Sequence, residues 1–202
     1  MRKYGRLAAV LCLCIVFFTG CGAAKVPEIV DTPSVAVDKE GTVTVWQVGV
    51  FDHTDYVLSE LQDMAAEEAG RFNSTSGKSA AVAVEKVEAL EDGSGKVVVA
   101  YRFDGWESAS AFLEEEIFVG AALATAGEGR IDAAALKSVK DDAPLSEEQL
   151  MQDTGSSVLI TDIKGNVYCP GKVTYISEGA FVNPDGSVNT SDTEGTVSIL
   201  YQ

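Results

Sequence analysis

The chain contains 202 residues, and its 31 Asp and Glu against 15 Lys and Arg give a formal net charge of −16. Such an acidic chain is repelled by the phosphates of nucleic acid, which excludes nucleic-acid binding as its function. The hydrophobic content of 46% is ordinary for a globular protein and excludes wholesale disorder. The chain is long enough to build one sizeable hydrophobic core or two small ones.

The first residues of the chain have the features of an export signal. The basic residues that open it are Arg2, Lys3 and Arg6. The apolar run that follows, residues 7–18, is shorter than the roughly 20 residues that a membrane-spanning helix needs, so it predicts a signal peptide. The run leads into Phe18-Thr19-Gly20-Cys21, which resembles the lipobox of bacterial lipoproteins. The resemblance implies that residues 1–20 are a cleaved lipoprotein signal peptide and that the thiol of Cys21 carries a diacylglyceryl group.

Lipidation at Cys21 predicts where the mature protein resides. Two acyl chains give stable anchoring, so we expect the protein on the extracytoplasmic face of the bacterial cell membrane, with the lipid bilayer as its partner. An ordinary secretory signal is the alternative, but it prefers a small residue at the position of Phe18. Cleavage removes three basic residues and no acidic one, which moves the formal charge from −16 to −19.

The cysteines limit the chemistry of the mature chain. Cys12 and Cys14 leave with the signal and Cys21 is modified, so Cys169 is the one remaining thiol. An intramolecular disulfide and a cysteine-rich zinc site are therefore excluded. We expect Cys169 to be an inert, packed thiol.

The mature chain divides by composition into three segments. Residues 21–40 contain two prolines, scattered charges and no sustained period, which predicts a flexible tether with a maximum reach of roughly 60 Å. Residues 41–125 predict an α+β domain. Residues 126–202 predict a helical connector followed by a β-rich region that covers the free face of the first sheet.

The order of elements within 41–125 predicts the fold. The predicted elements are a strand at 42–51, a helix from Val57 to Phe72, a polar loop at 73–78, a hairpin of strands at 80–90 and 96–103, a short helix at 106–113 and a strand at 117–123. The phase of the apolar residues shifts between Val84 and Val87, which predicts a β-bulge. The order βαββαβ predicts a ferredoxin-like antiparallel sheet with two helices, to which the β-rich C-terminal region is added. The alternative is an open α+β sheet whose last strand pairs elsewhere.

The C-terminal region predicts one further helix and several short strands. Ser146 is a suitable N-cap for a helix that ends near Gln152. Four β-rich stretches follow, separated by turn signals at Gly165, Gly171 and Gly186.

One short segment brings an imidazole together with carboxylates. Asp52, His53 and Asp55 are weak candidates for a divalent-cation site or for a histidine general base. The simpler interpretation is that the acids cap the following helix and that His53 is a polar loop residue.

Residues 43–123 also resemble a group of uncharacterised lipoproteins from clostridial-type bacteria. The resemblance rests on a strand that ends in FD, the helix DYVLSELQDMAAEEAGRFN, a hairpin that ends in YRFDGW, an aromatic residue in the second helix and the stretch IFVGAALATA. It implies a location in the cell envelope and carries over no catalytic residue.

These observations predict a membrane-anchored lipoprotein that serves as a non-enzymatic binding or envelope-assembly module without a cofactor. The motifs of a serine hydrolase are absent from the sequence. The alternative is an extracytoplasmic hydrolase that uses carboxylates or a divalent cation near Asp52, His53 and Asp55.

Overall fold

The computed structural model describes residues 25–51 and 57–202. Within these ranges the chain forms a mixed α+β fold of two β-sheets and four α-helices. The strands are β1 (Ser34–Val37), β2 (Val43–Val50), β3 (Val82–Ala89), β4 (Lys96–Phe103), β5 (Ile117–Ala121), β6 (Leu136–Ser138), β7 (Ser157–Thr161), β8 (Asn166–Tyr168), β9 (Val173–Ser177), β10 (Phe181–Val182), β11 (Val188–Asn189) and β12 (Val197–Tyr201). The helices are α1 (Leu58–Ser76), α2 (Trp106–Leu113), α3 (Ala122–Gly127) and α4 (Glu147–Gln152).

The first sheet contains seven strands in the order β10-β11-β8-β1-β2-β4-β3. β4 is antiparallel to both β2 and β3, so β2 and β3 run parallel to each other on either side of it. α1 connects β2 to β3, and this is the split β-α-β unit that the sequence predicts. The predicted bulge is confirmed, because the register of β3 shifts between Val84 and Lys86.

The α+β class is confirmed, but the ferredoxin-like topology is wrong. β1 occupies the position beside β2 that the fourth strand of that fold would take, with Val35 opposite Val45. β5 instead pairs with β7 in the second sheet, as in the open-sheet alternative. The physical reason is local, because only five residues join β1 to β2 and the entropy of closing so short a loop is small. Asp38 stabilises this turn by accepting hydrogen bonds from the backbone N–H groups of Glu40 and Thr42.

The fold begins earlier than the predicted tether allows. β1 lies within residues 21–40, and the segment before it is also attached to the first sheet. Val30 is 7% exposed, and the backbone carbonyl of Asp31 accepts a hydrogen bond of 2.9 Å from Nζ of Lys96. The described part of 21–40 is therefore structured rather than a free spacer.

The second sheet is antiparallel, with the order β5-β7-β12-β9-β6, and it shares a hydrophobic core with the first sheet. This core contains Val35 and Tyr101 from the first sheet, Leu159 and Ile199 from the second sheet, and Ala65 from α1. The prediction that the C-terminal region covers the free face of the first sheet is wrong. That region instead supplies strands to both sheets, and the second sheet packs against the face that α1 and α2 also cover.

A second apolar cluster covers the other face of the second sheet. Its residues from α3, α4 and the adjoining strands include Ala122, Leu150, Val158, Ile160 and Leu200. The predicted cap of α4 is confirmed, because Ser146 and Gln149 form a reciprocal capping box. Both sheets draw strands from either side of residue 125.

The end of one helix and the end of one strand differ from the prediction. α1 continues to Ser76 through the segment predicted as a polar loop, because the side chain of Asn73 hydrogen-bonds to both backbone groups of Val82 and holds this turn on the sheet. Gly77 then ends the helix in the left-handed conformation, with φ of +71°. The predicted strand at 117–123 ends at Ala121, where α3 follows directly.

Among residues 25–51 and 57–202, none of the helices combines the length and the hydropathy that a membrane span requires.

Candidate functional site: an apolar groove

A groove of about 440 Å³ lies between the first turns of α1 and the end of the first sheet. The residues that line it, which we call the apolar groove, are Gln47, Val48, Gly49, Val50, Phe51, Val57, Glu60, Leu61, Met64, Val97 and Val99. Its volume falls in the range of small-molecule sites in proteins, which are concave and mostly apolar.

The floor of the apolar groove comes from the pleat of β2 and β4. Gln47 pairs with Val99 and Gly49 pairs with Val97 across the two strands. These residues continue the face of the sheet that carries Val45 and Tyr101 in the core, because side chains alternate along a strand. Gly49 has no side chain, so the sheet surface is lower there than at the neighbouring valines.

One wall of the groove is a face of α1. Val57, Leu61 and Met64 are separated by four and three residues, which places them above one another on the helix. Further along α1, Ala65 and Ala69 are buried against the core. The helix is therefore packed on the sheet through its small residues, while its first turns stand over the groove.

The groove exposes large apolar side chains to solvent. Val57 is 47% exposed and Met64 is 67% exposed. Single exposed apolar residues are common on protein surfaces, but a contiguous group around a concavity is typical of a binding site.

Two polar side chains border the apolar surface. Glu60 lies in the first turn of α1, where the helix dipole stabilises a carboxylate. Gln47 is exposed and offers both a donor and an acceptor. The described lining of the groove therefore presents an apolar surface with one negative charge and one amide, and such a site fits an apolar ligand with a neutral or cationic polar group.

The residues that the sequence singled out are not part of the described geometry. Cys21, Asp52, His53 and Asp55 lie outside the described residues, so lipidation, cation binding and base chemistry at these positions stay predictions. The described neighbours of 52–56 in the chain are Phe51 and Val57, and both line the apolar groove. The N-cap of α1 is Val57, without a capping side-chain hydrogen bond, so the helix begins two residues later than a cap at Asp55 would place it.

Cys169 is buried, as predicted for an inert thiol. It is 2% exposed, and burial raises the pKa of its thiol to about 12. At neutral pH the reactive thiolate is therefore scarce, and the side chain is shielded from reagents.

One surface network of charged side chains lies near the start of β5. Arg130 lies 3.8 Å from the centroid of the Phe118 ring and pairs with Glu116 at 3.2 Å. Burial, followed by the charge of Asp162, raises the pKa of Glu115. Residues 25–51 and 57–202 contain no group of three or more His, Cys, Asp or Glu side chains placed to hold a metal ion.

Sequence reasoning missed the apolar groove. It assigned Leu61 and Met64 to the buried face of α1, although only the later positions of that face are fully buried. The available signal was the sequence Gln47-Val48-Gly49, where a polar residue and a glycine interrupt the inward-facing valines of β2.

The described residues define a mixed α+β protein whose two sheets share a core and whose first sheet opens at one end into an apolar groove. Comparison of the chain with protein-family models, curated proteins and solved structures finds no match.

Proposed function

We propose that this protein is an extracytoplasmic lipoprotein that is held on the bilayer by Cys21 and acts as a non-enzymatic binding module. The ligand occupies the apolar groove. The lipobox at the N-terminus supports the anchor, and the resemblance to uncharacterised clostridial-type lipoproteins agrees with it. The observation that carries the binding role is the exposure of the apolar side chains of Val57 and Met64 over a concave surface.

The energetics of the groove favour an apolar ligand. Each square ångström of apolar surface that a ligand removes from water contributes roughly 25 cal/mol, so covering these side chains provides a driving force without any strong polar contact. Glu60 adds selectivity, because a carboxylate at the rim repels anionic ligands and attracts cationic ones.

The placement of the acidic side chains supports a binding module rather than a carboxylate hydrolase. The fully buried polar side chains of the described part are those of serine and threonine. Its Asp and Glu residues are exposed or partly exposed at the surface. Catalytic carboxylates act as a pair across a cleft that holds the substrate, and among the described residues that line the apolar groove Glu60 is the one with a carboxylate.

Nile red, a neutral dye that becomes fluorescent in apolar surroundings, is a suitable first probe of the groove. Gly49→Val fills the floor, where the added Cβ comes no closer than 3.9 Å to Val97. We expect this variant to bind the dye at least five-fold more weakly. It should also resist unfolding slightly better than the parent, because Gly weakens a strand. Loss of binding together with gained stability cannot be attributed to misfolding.

Two matched controls complete this experiment. Gly70→Ala removes a glycine from α1 at a position with no heavy atom within 4 Å of the added Cβ, and it should leave dye binding unchanged. Met64→Glu should weaken binding, whereas Met151→Glu, at an exposed methionine of α4, should not. Equal dye binding by all four variants and the parent would contradict the assignment of the groove as the binding site.

A further inference from the structure

We infer that the outer face of the first sheet, around Trp46, lies against the interfacial layer of the bilayer. This inference rests on the lipid anchor at Cys21 that forms part of the proposed function. The outer face is the one opposite the shared core, and the N-terminal segment crosses it before β1.

The short distance along the chain between the anchor and the fold carries the inference. Val26 lines the same hollow as Trp46 and is five residues after Cys21, and five Cα–Cα steps span at most about 19 Å. The segment that follows is attached to the sheet through Val30, which is 7% exposed, and through the hydrogen bond from Lys96 to the carbonyl of Asp31. The face where the chain arrives therefore lies within about 20 Å of the anchor, so the anchor holds this face toward the headgroups.

The surface at this point has the composition of a membrane interface. A hollow of about 460 Å³, which we call the Trp46 hollow, is lined chiefly by Val26, Ala36, Thr44, Trp46, Tyr168 and Pro170. Val26, which lines this hollow, is 36% exposed. Tryptophan favours the headgroup level of a bilayer, where its ring meets both apolar and polar groups.

The charge of the protein limits which bilayer contact is possible. A mature chain with a formal charge of −19 is not drawn to anionic lipid over a distance. In the Trp46 hollow, Lys39 lies between Asp38 and Glu40, so the local surface is not strongly basic. The contact therefore depends on the anchor and on short-range burial of apolar side chains.

This orientation leaves the apolar groove accessible. Trp46 and Thr44 project from the outer face of β2, whereas Gln47 and Gly49 belong to the inner face and lie nearer its opposite end. A bilayer that covers the Trp46 hollow therefore does not cover the groove.

Quenching of tryptophan fluorescence by spin-labelled lipid tests this orientation. The mature lipoprotein is reconstituted into phosphatidylcholine vesicles that contain a lipid with a nitroxide near the headgroup. Trp106→Phe retains Trp46 in the hollow, and Trp46→Phe retains Trp106, which packs against Phe118 with ring centroids 4.8 Å apart. We expect Trp46 emission to fall at least two-fold more than Trp106 emission.

An insertion variant tests the orientation at the bilayer separately from the lipid anchor. A flexible linker of about 20 Gly and Ser residues between Gly22 and Ala23 should reduce the quenching of Trp46 to the level of Trp106. Vesicle flotation without selective quenching of Trp46 would overturn the orientation alone and leave Nile red binding at the groove unaffected. Failure to float with the vesicles would overturn the anchor and the orientation together. A concentration-dependent dimer that protects Trp46 from the nitroxide would assign the hollow to a second copy and overturn the bilayer contact.

Discussion

The side-chain amide of Asn73 pairs with both backbone groups of Val82. Its Nδ2 donates to the carbonyl of Val82 at 2.8 Å, and its Oδ1 accepts from the N–H of Val82 at 2.9 Å. β3 is an edge strand of the first sheet, and Val82 is 2% exposed. Asn73 therefore supplies the hydrogen bonds that a further strand would otherwise provide, and it joins the last turns of α1 to the sheet.

Asn73→Ala should destabilise the protein by about 2 kcal/mol, because two buried backbone groups lose their partners. Ser74→Ala is the matched control. The hydroxyl of Ser74 donates to the carbonyl of Gly70 within the same helix, at an exposed site, and its loss should change the free energy of unfolding by less than about 0.5 kcal/mol. Urea unfolding of the two variants measures the difference. Equal midpoints would show that the pairing of Asn73 with Val82 does not contribute to the free energy of unfolding.

Gly165→Ala should be among the most destabilising single substitutions in the protein. Gly165 has φ of +152°, and a Cβ there would lie 1.8 Å from the carbonyl oxygen of Pro33. The parallel pairing of β8 with β1 brings these backbones together, because the N–H of Asn166 donates to the same oxygen at 3.0 Å.

We expect Gly165→Ala to cost more than about 3 kcal/mol, since backbone must move to accept the methyl group. Gly41→Ala is the control, because Gly41 also has positive φ but no heavy atom within 4 Å of the added Cβ. It should cost about 1 kcal/mol of backbone strain. Thermal unfolding that places both variants at the same midpoint would contradict the close approach of β8 to Pro33.

Alkaline pH should destabilise this protein through buried tyrosine and cysteine side chains that the fold keeps neutral. Burial raises the pKa of Cys169 from its ordinary value of 9.0 to about 12. The pKa values of Tyr101 and Tyr201 rise from 10.0 to about 12, in both cases chiefly through burial. Because these groups ionise more readily in the unfolded chain, their contribution to stability is present below about pH 9 and is lost between about pH 9 and pH 12.

Cys169→Ala tests this pH dependence. At pH 7 the variant should be less stable than the parent, because the smaller side chain leaves a void in the core. The difference in the free energy of unfolding should narrow as the pH rises from 8 to 11, since the variant has no thiol to ionise. Urea unfolding at four pH values measures it, and a difference that is constant across this range would contradict the raised pKa of Cys169.

Cys21→Ala should release the protein from membranes. Without the diacylglyceryl group the mature chain has no acyl anchor, and its formal charge of −19 gives no attraction to anionic lipid. Cys169→Ala, which removes the other cysteine of the mature chain, should leave the protein in the membrane fraction. Fractionation after a high-salt wash distinguishes the two variants, and tight membrane association of Cys21→Ala would overturn the anchor.

Much of the local structure follows from the sequence because it depends on local forces. The β-branched residues of β2, the helical spacing of α1, the bulge after Val84 and the capping box at Ser146 are each decided by neighbours in the chain. The end of α1 is the instructive exception. Ser74, Thr75 and Ser76 have turn-forming propensity, but the hydrogen bonds of Asn73 to Val82 hold this part of the chain on the sheet. The helix therefore extends past Asn73 to Ser76.

By itself, the sequence determined the α+β class and the order of the six elements from β2 to β5. The partners of the strands were decided only in the tertiary structure, where β5 joined the second sheet and β1 took the position beside β2. An apolar strand has the same local pattern whichever sheet receives it, so its pairing is a property of the whole core. The apolar groove also could not be predicted from the local sequence. Leu61 and Met64 have the spacing of a buried helix face, and they line a groove only because the first sheet is open at this end.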